Sequence, residues 1–514
     1  MKYKLSLILL FFSALTSFGQ STGTPQRRSM YQTKAEKYRP QIHFTPQAHW
    51  MNDPNGMVYY KGKYHLFYQH FPGGNKWGPM HWGHATSADL VHWEHLPIAL
   101  YPDSLGYIFS GSAVVDEQNT SGFGKDGKVP LVAIFTHHDP KGEKAGRNDF
   151  QNQSLAYSLD EGKSWTKYAG NPVLRNPGIV DFRDPKVMWY EAGKKWIMTL
   201  ATKDRITFYA SPNLKEWTKE SEFGAHEGGH GGVWECPDLF PLKLEGKTYW
   251  VLIVNINPGA PNGGSGGQYF IGDFDGKHFM PVDNKTRWLD YGTDDYAGIT
   301  WSNTGERKIF MGWMNNWTYA NEVPTSSWRG AATLPRELKL EKVNGEVLLK
   351  TLPVKELDNI DLKSVSQFNI EVKDRLKLVK GPALKSPFKL ELQGDRLKNF
   401  TLSFENKLGD KLIIGYNEKT NNYFIDRSKS GDISFNQEFK KLHTAPRIGN
   451  GKKMNLIVYV DVASVEFFAD GGLTVMTDVF FPQKPMDQVY FKPGASNAGY
   501  ILKKLKYTPL KSTL

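Results

Sequence analysis

The sequence predicts an all-β protein, a five-bladed β-propeller followed by a C-terminal antiparallel β-sandwich. Three observations carry this. A basic turn followed by an apolar strand recurs five times. All fifteen tryptophans lie between Trp50 and Trp328, and of the fourteen histidines only His443 lies beyond His278. Behind that border come short runs of period-two alternation, the pattern of half-buried strands.

The chain has 514 residues. Residues 1–19 read as a signal peptide. Lys2 and Lys4 precede an apolar stretch from Leu5 to Leu15, and Ser17 and Gly19 occupy the small-residue positions of a cleavage site, placing the cut before Gln20. The expected location is therefore periplasmic or extracellular. Cleavage lowers the net charge from +11 to +9. Cys236 is the only cysteine, so the cut carries no lipid-anchor residue, no internal disulfide can form, and burial alone must hold an exported chain together. Residues 20–38 are polar and aromatic-poor, a tether.

Residues 39–352 form the expected propeller. Its repeating unit is Gly62-Lys63-Tyr64-His65-Leu66-Phe67-Tyr68, with versions at Gly127–Ile134, Gly193–Met198, Gly246–Val251 and Glu306–Met311. A second element, Ser87-Ala88-Asp89-Leu90-Val91-His92-Trp93, returns at Ser211–Trp217 and, one residue longer, at Ser158–Trp165. Units of about 60 residues hold four strands each, the size of a propeller blade. Residues 353–514, after Leu352-Pro353, hold a linker and the expected sandwich, with runs such as Phe368–Val372, Phe388–Leu392 and Phe400–Phe404.

The composition, 39% hydrophobic and 23% charged, excludes a disordered chain. No interior run reaches the ~18 apolar residues of a membrane span, which excludes an integral membrane protein built of helices. The positive charge is spread along the chain and in short clusters such as Leu502–Lys506, which read as solvated strand faces. No nucleic-acid motif accompanies it. Oligomeric state is left open.

Each repeat carries a polar segment expected just before its first strand. Asn52-Asp53-Pro54-Asn55-Gly56-Met57-Val58-Tyr59 and Arg183-Asp184-Pro185-Lys186-Val187-Met188-Trp189-Tyr190 share an Asp-Pro-x-x-Met-x-Tyr pattern, with Tyr59 and Tyr190 closing each. Glu235-Cys236-Pro237-Asp238 keeps the proline in register and sets its acid one place earlier, a shift that a strand bulge and the longer side chain can absorb. The second and fifth repeats offer Phe109-Ser110-Gly111-Ser112 and Tyr296-Ala297-Gly298. If these segments line a propeller channel, Asp53, Asp184 and Glu235 meet at one mouth. Two carboxyl groups about 5 Å apart are the equipment of retaining glycosidic cleavage. Crowding raises the pKa of one of them and so separates nucleophile from acid.

Two other motifs point elsewhere. His226-Glu227-Gly228-Gly229-His230 fits the zinc pattern His-Glu-x-x-His, but its glycines oppose the helix that chemistry needs. Asn262–Gly267 looks like a phosphate cradle, yet it leads into the strand-like Gln268–Ile271 and lacks the P-loop lysine. A non-catalytic sugar-binding propeller accounts for the aromatics and leaves three clustered acids unexplained.

Trp50-Met51-Asn52-Asp53-Pro54-Asn55-Gly56, Phe182-Arg183-Asp184-Pro185 and Trp234-Glu235-Cys236-Pro237 resemble, in order, the three signatures of glycoside hydrolase family 32, the β-fructosidases. Asn257–Gly264 and Met311–Trp317 resemble its bacterial levanase-type members. The resemblance implies a five-bladed propeller with a following sandwich, Asp53 as nucleophile, Glu235 as acid/base, and Asp184 with Arg183 holding sugar hydroxyls. Trp50, Asn52, Gln69, Trp77, Phe109, Ser110, Tyr296 and Trp317 match positions that shape the family's fructose pocket. It implies fructan (levan or inulin) or sucrose as substrate, exo-action releasing single fructose units, and no metal or organic cofactor. Endo-cleavage, a sucrose-preferring invertase and the β-2,6 or β-2,1 preference stay open. The chain departs from the family at Asp295, where relatives often carry an aromatic at the pocket rim.

Overall fold

The computed structural model describes residues 36–379, 384, 386–449, 451–494 and 500–514. The expected signal peptide, and the tether up to residue 35, lie outside them. Five antiparallel sheets succeed one another up to Pro353. Their first strands are His49–Tyr60, Tyr107–Val115, Phe182–Tyr190, Val233–Leu244 and Tyr296–Thr300. Each of these packs against the next and the fifth packs against the first, closing a ring around a central axis. That ring is the inner wall of a five-bladed propeller. The first blade also takes up a short parallel strand, Trp328–Arg329, which pairs with His49 and Trp50 and ties the fifth blade's excursion to the first.

The polar segments sit inside the inner strands rather than before them, and the basic turns join first strands to second strands. Asp-Pro is tolerated there because the ladder is already interrupted. Register shifts fall between Met51 and Pro54, Ile108 and Gly111, Glu235 and Asp238, and Tyr296 and Ile299. The third blade has the same irregularity between Arg183 and Lys186. A bulge at one height recurs in every blade, with a second in the first blade between Asn55 and Val58, and turns successive side chains toward the axis.

The second repeated element is a turn between the third and fourth strands. The Asp89 carboxylate accepts from the backbone N–H of Val91 and His92, and Asn213 accepts from Lys215 and Glu216. Asp160 does the same for Ser164, accommodating the extra residue. These are side-chain-closed turns, so the repeated Asp or Asn has a local cause.

The sandwich has two six-stranded sheets. Leu390, Leu402, Ile414, Phe467 and Phe491 are among the residues filling the space between them. Ser464–Ala469 and Thr474–Val479 are buried along their whole length. One face packs in the sandwich core, while Phe468 and Val475 on the other join the propeller's apolar cluster. Charged groups cross the same boundary. Arg336 bonds to Glu466, Asp290 and Asp295, and His43 bridges Asp461 and Glu466. Burial opposes protonation of His43, but its two carboxylate partners outweigh it and raise its pKa to about 9.

Candidate active site

The bulged inner strands deliver the acidic residues of three blades to one mouth. Asp53 lies partly exposed, and Asp184 is buried at 5% exposure. Asp184 takes a left-handed backbone, φ +64°, as do the corresponding Cys236 and Ala297 of the next two blades. Such backbone is costly for side-chain-bearing residues and tends to mark functional sites. The Asp184 N–H donates to Thr136 Oγ1 (3.0 Å), and its Oδ2 accepts from the Cys236 N–H (3.0 Å). The Cys236 thiol stands 3.5 Å from Asp53 Oδ2 and 3.6 Å from Asp184 Oδ2, a bridge between the two acids. Burial and the surrounding acids push that thiol well up, so it remains a neutral donor.

Asp53 is aimed by two donors on opposite oxygens. Ser110 Oγ donates to Oδ2 (2.6 Å) and Asn52 Nδ2 to Oδ1 (2.9 Å). Trp50 Nε1 fixes the Asn52 amide through Oδ1 (2.7 Å). Glu235 keeps 18% of its side chain exposed. Arg183 Nη2 donates to its Oε1 (2.9 Å), and the Tyr296 hydroxyl donates to its Oε2. Arg183 also bonds to Asp181, which was not singled out in the sequence.

Desolvation raises the Asp53 pKa, helped by the charge of Glu235 and opposed by the Ser110 and Asn52 donors. Desolvation raises Asp184 further, to about 7; the Arg183 charge opposes this, and Glu235 and Asp53 reinforce it. A carboxyl whose folded pKa lies above its unfolded value near 3.8 costs stability progressively as pH rises through that interval. Asp184→Asn keeps an oxygen for the Cys236 N–H and removes the charge. We expect its Tm to exceed that of the wild type by a few degrees at pH 8, with the gap closing toward pH 4. Thermal scans across that range check it, and a Tm gap independent of pH counts against the assignment.

Trp317, Trp77 and Phe109 keep surface at the wall and rim, whereas Trp50, expected to shape the pocket, is fully buried and acts through Asn52. Trp317 stacks on Trp50 with centroids 5.9 Å apart, and Trp77, 41% exposed, meets Phe109 edge-on at 6.1 Å. Phe109 in turn stacks on His138. Gln69 is buried and bonds to Asn55 Oδ1 (2.7 Å), supporting the first strand from behind the acids. Asp295 is not at the rim. It turns its carboxylate to Arg336 (3.0 Å) in the boundary with the sandwich, on the side opposite Tyr296, as successive residues of extended backbone do. His226–His230 runs through bends rather than a helix, and Asn262 clasps Thr444 of the sandwich from its glycine-rich loop. Among the described residues no group of three His, Cys, Asp or Glu is placed to hold a metal ion. No helix among them is long and apolar enough to cross a membrane.

A propeller with paired and crowded carboxylates at one mouth, walled by tryptophans and carrying a β-sandwich, is the architecture of a glycosidase. The models of the glycosyl hydrolases family 32 N-terminal domain and of the family 32 C-terminal region match residues 43–351 and 354–509. The chain belongs to that family. It is 48% identical to the levanase of Bacillus subtilis (strain 168), over 99% of this chain and 75% of that one. It is 39% identical to the extracellular exo-inulinase of Aspergillus niger, over 87% and 90%. The crystal structure of exo-inulinase from Aspergillus awamori superposes with a TM-score of 0.85 at 35% identity, covering 94% of this chain and all of that one (100%).

Proposed function

We propose that this protein is an exported, exo-acting fructan β-fructosidase that releases single fructose units from levan, inulin and, less readily, sucrose with retention of configuration. The carrying observation is the convergence of Asp53, Asp184 and Glu235, from three separate blades, in one hydrogen-bonded group. Asp53, held by Ser110 and Asn52, attacks the anomeric carbon of a terminal fructosyl unit. Glu235 protonates the departing oxygen, then takes a proton from the water that cleaves the fructosyl–Asp53 ester. Arg183 and Tyr296, which hold both Glu235 oxygens, fix its direction. Asp184, with Arg183, holds sugar hydroxyls, and Trp77, Phe109 and Trp317 supply apolar walls, with Trp50 fully buried behind Trp317 and Gln69 bracing the first strand. Residues 39–352 form the catalytic unit in this reading and 353–514 its linker and brace.

Exo-action is favoured by the name exo-inulinase among the relatives and by the general geometry of loops that converge from five blades on one mouth, a funnel that accepts a chain terminus. Chromatography of early digestion products from levan, inulin and sucrose tests it. Fructose alone in the first minutes is expected, whereas a ladder of oligosaccharides would overturn exo-action in favour of endo-cleavage.

A further inference from the structure

A cavity of about 880 Å³ opens at the end of the propeller remote from the carboxylates, within the range of ligand-binding clefts. It is lined where the inner strands of the third and fourth blades finish, at Trp189, Tyr190 and Leu242, and by Trp250, Arg307 and Lys308. Asp184 and Tyr190 lie on one strand, and six residues of strand put this end about 20 Å from the acids. The reason it is open is local. The inner strands turn back there through short loops at Glu191–Gly193, at Glu245-Gly246 and around Gly305, and these do not cover the rings behind them.

The chemistry of the lining selects a ligand class. Tyr190 and Trp250 lie together, centroids 6.1 Å apart, each half-buried. Among the described residues neither the Tyr190 hydroxyl nor the Trp250 indole N–H has a hydrogen-bond partner, although both belong to rings fixed in the blade core. Apart from Lys308, the basic groups around them are paired with acids. Lys243 holds Glu306 (2.9 Å), Arg307 holds Glu337 (3.1 Å) and Glu356 (2.6 Å), and Lys339 holds Glu337 (3.0 Å). Lys308 donates to the Gly305 carbonyl, and burial holds its pKa down. A phosphate or carboxylate ligand would have to break these pairs to reach Lys243, Arg307 or Lys339. An uncharged ligand with apolar faces and a hydroxyl rim fits without doing so.

We infer that this cavity is a second, non-catalytic carbohydrate site that holds an internal stretch of a fructan chain while another chain end occupies the catalytic mouth. The identity of the sugar rests on the function proposed above; the site itself does not. The two openings face opposite ends of the blades, so a disaccharide cannot span them, whereas a branched polymer can engage both and gain effective concentration. The site therefore acts on polymer affinity and leaves small-substrate turnover alone.

Two variants test this. Trp189→Ala removes one wall, and Thr248→Trp fills the cavity from an exposed strand position without disturbing the core. Steady-state kinetics on levan, inulin and sucrose should show KM for the polymers raised three- to tenfold in both, with kcat/KM for sucrose within twofold of wild type. In native gels containing levan or dextran, an Asp53→Ala protein should be retarded by levan, and less so once either variant is added. Unchanged polymer KM in both variants, a parallel loss on sucrose, or equal retardation by dextran would each overturn the inference. If the wild type releases no fructose from sucrose or fructan, the functional reading fails, while the gel still decides the second site.

Discussion

Asp53→Ala is expected to lower fructose release by about four to six orders of magnitude, the scale seen when a covalent nucleophile is removed. Each decade corresponds to about 1.36 kcal/mol of barrier, so the loss is roughly 5–8 kcal/mol. The fold should survive it. Asp53 contacts Ser110, Asn52 and the Cys236 thiol, none of which depends on it for burial. Its charge also opposes ionisation of Asp184, so removing it relieves repulsion. The variant should therefore unfold at or slightly above the wild-type temperature at neutral pH.

The same variant distinguishes a bond-forming carboxylate from a merely electrostatic one. With the side chain shortened, an external azide ion has room to attack the anomeric carbon from the vacated face while Glu235 still protonates the leaving group. Part of the activity should return with azide, and the product should be a fructosyl azide of inverted configuration. Retention of more than about a tenth of wild-type turnover without azide would remove Asp53 from the nucleophile's place.

Much of this was legible because repetition converts sequence distance into spatial proximity. Asp53-Pro54 and Asp184-Pro185 announce equivalent strands, and the tryptophan border separates two kinds of sheet. What was not legible is which face of the strand each side chain takes where a strand begins. Nothing in Asp295-Tyr296 says that the tyrosine faces the acid Glu235 while the aspartate faces Arg336, forty-one residues on. In the sequence, Cys236 is chiefly the residue whose solitude forbids a disulfide. Its position directly after Glu235, matching Asp184 in the third blade, was the available signal that its thiol sits between Asp53 and Asp184. Thr136 and Asp181 carried no such signal, since each acts through a single contact made by a neighbouring strand or turn.

Arg336→Met should produce the largest loss of stability. Arg336 is 0% exposed and holds Glu466 (2.6 Å) from the sandwich together with Asp290 (2.9 Å) and Asp295 (3.0 Å) from the propeller. Removing one partner from a buried ionic group leaves uncompensated charge, which costs about 3–5 kcal/mol, more than replacing the whole group by neutral residues. Asp295 reports the strain already present. Burial raises its pKa to about 8, the neighbouring Asp290 and Glu466 add to this, and Arg336 alone pulls it down. Burial opposes the Glu466 charge, but Arg336 and His43 outweigh it and hold its pKa down. Without the guanidinium that pKa rises, so the variant's deficit should grow as pH rises from 5 to 8, a window in which Asp295 stays largely protonated in both proteins. Adding Asp295→Asn should restore part of the lost stability, because an amide is buried neutral without having to take up a proton on folding. Because Asp295 precedes Tyr296 in the strand, the loosened boundary should also reach the Glu235 contact and lower activity before the protein unfolds. Denaturant unfolding and activity measured side by side at pH 5 and pH 8 decide the matter. A variant as stable as wild type at pH 8, or one whose deficit grows toward pH 5, would mean that packing of Phe468 and Val475, not this charge group, holds the two domains together.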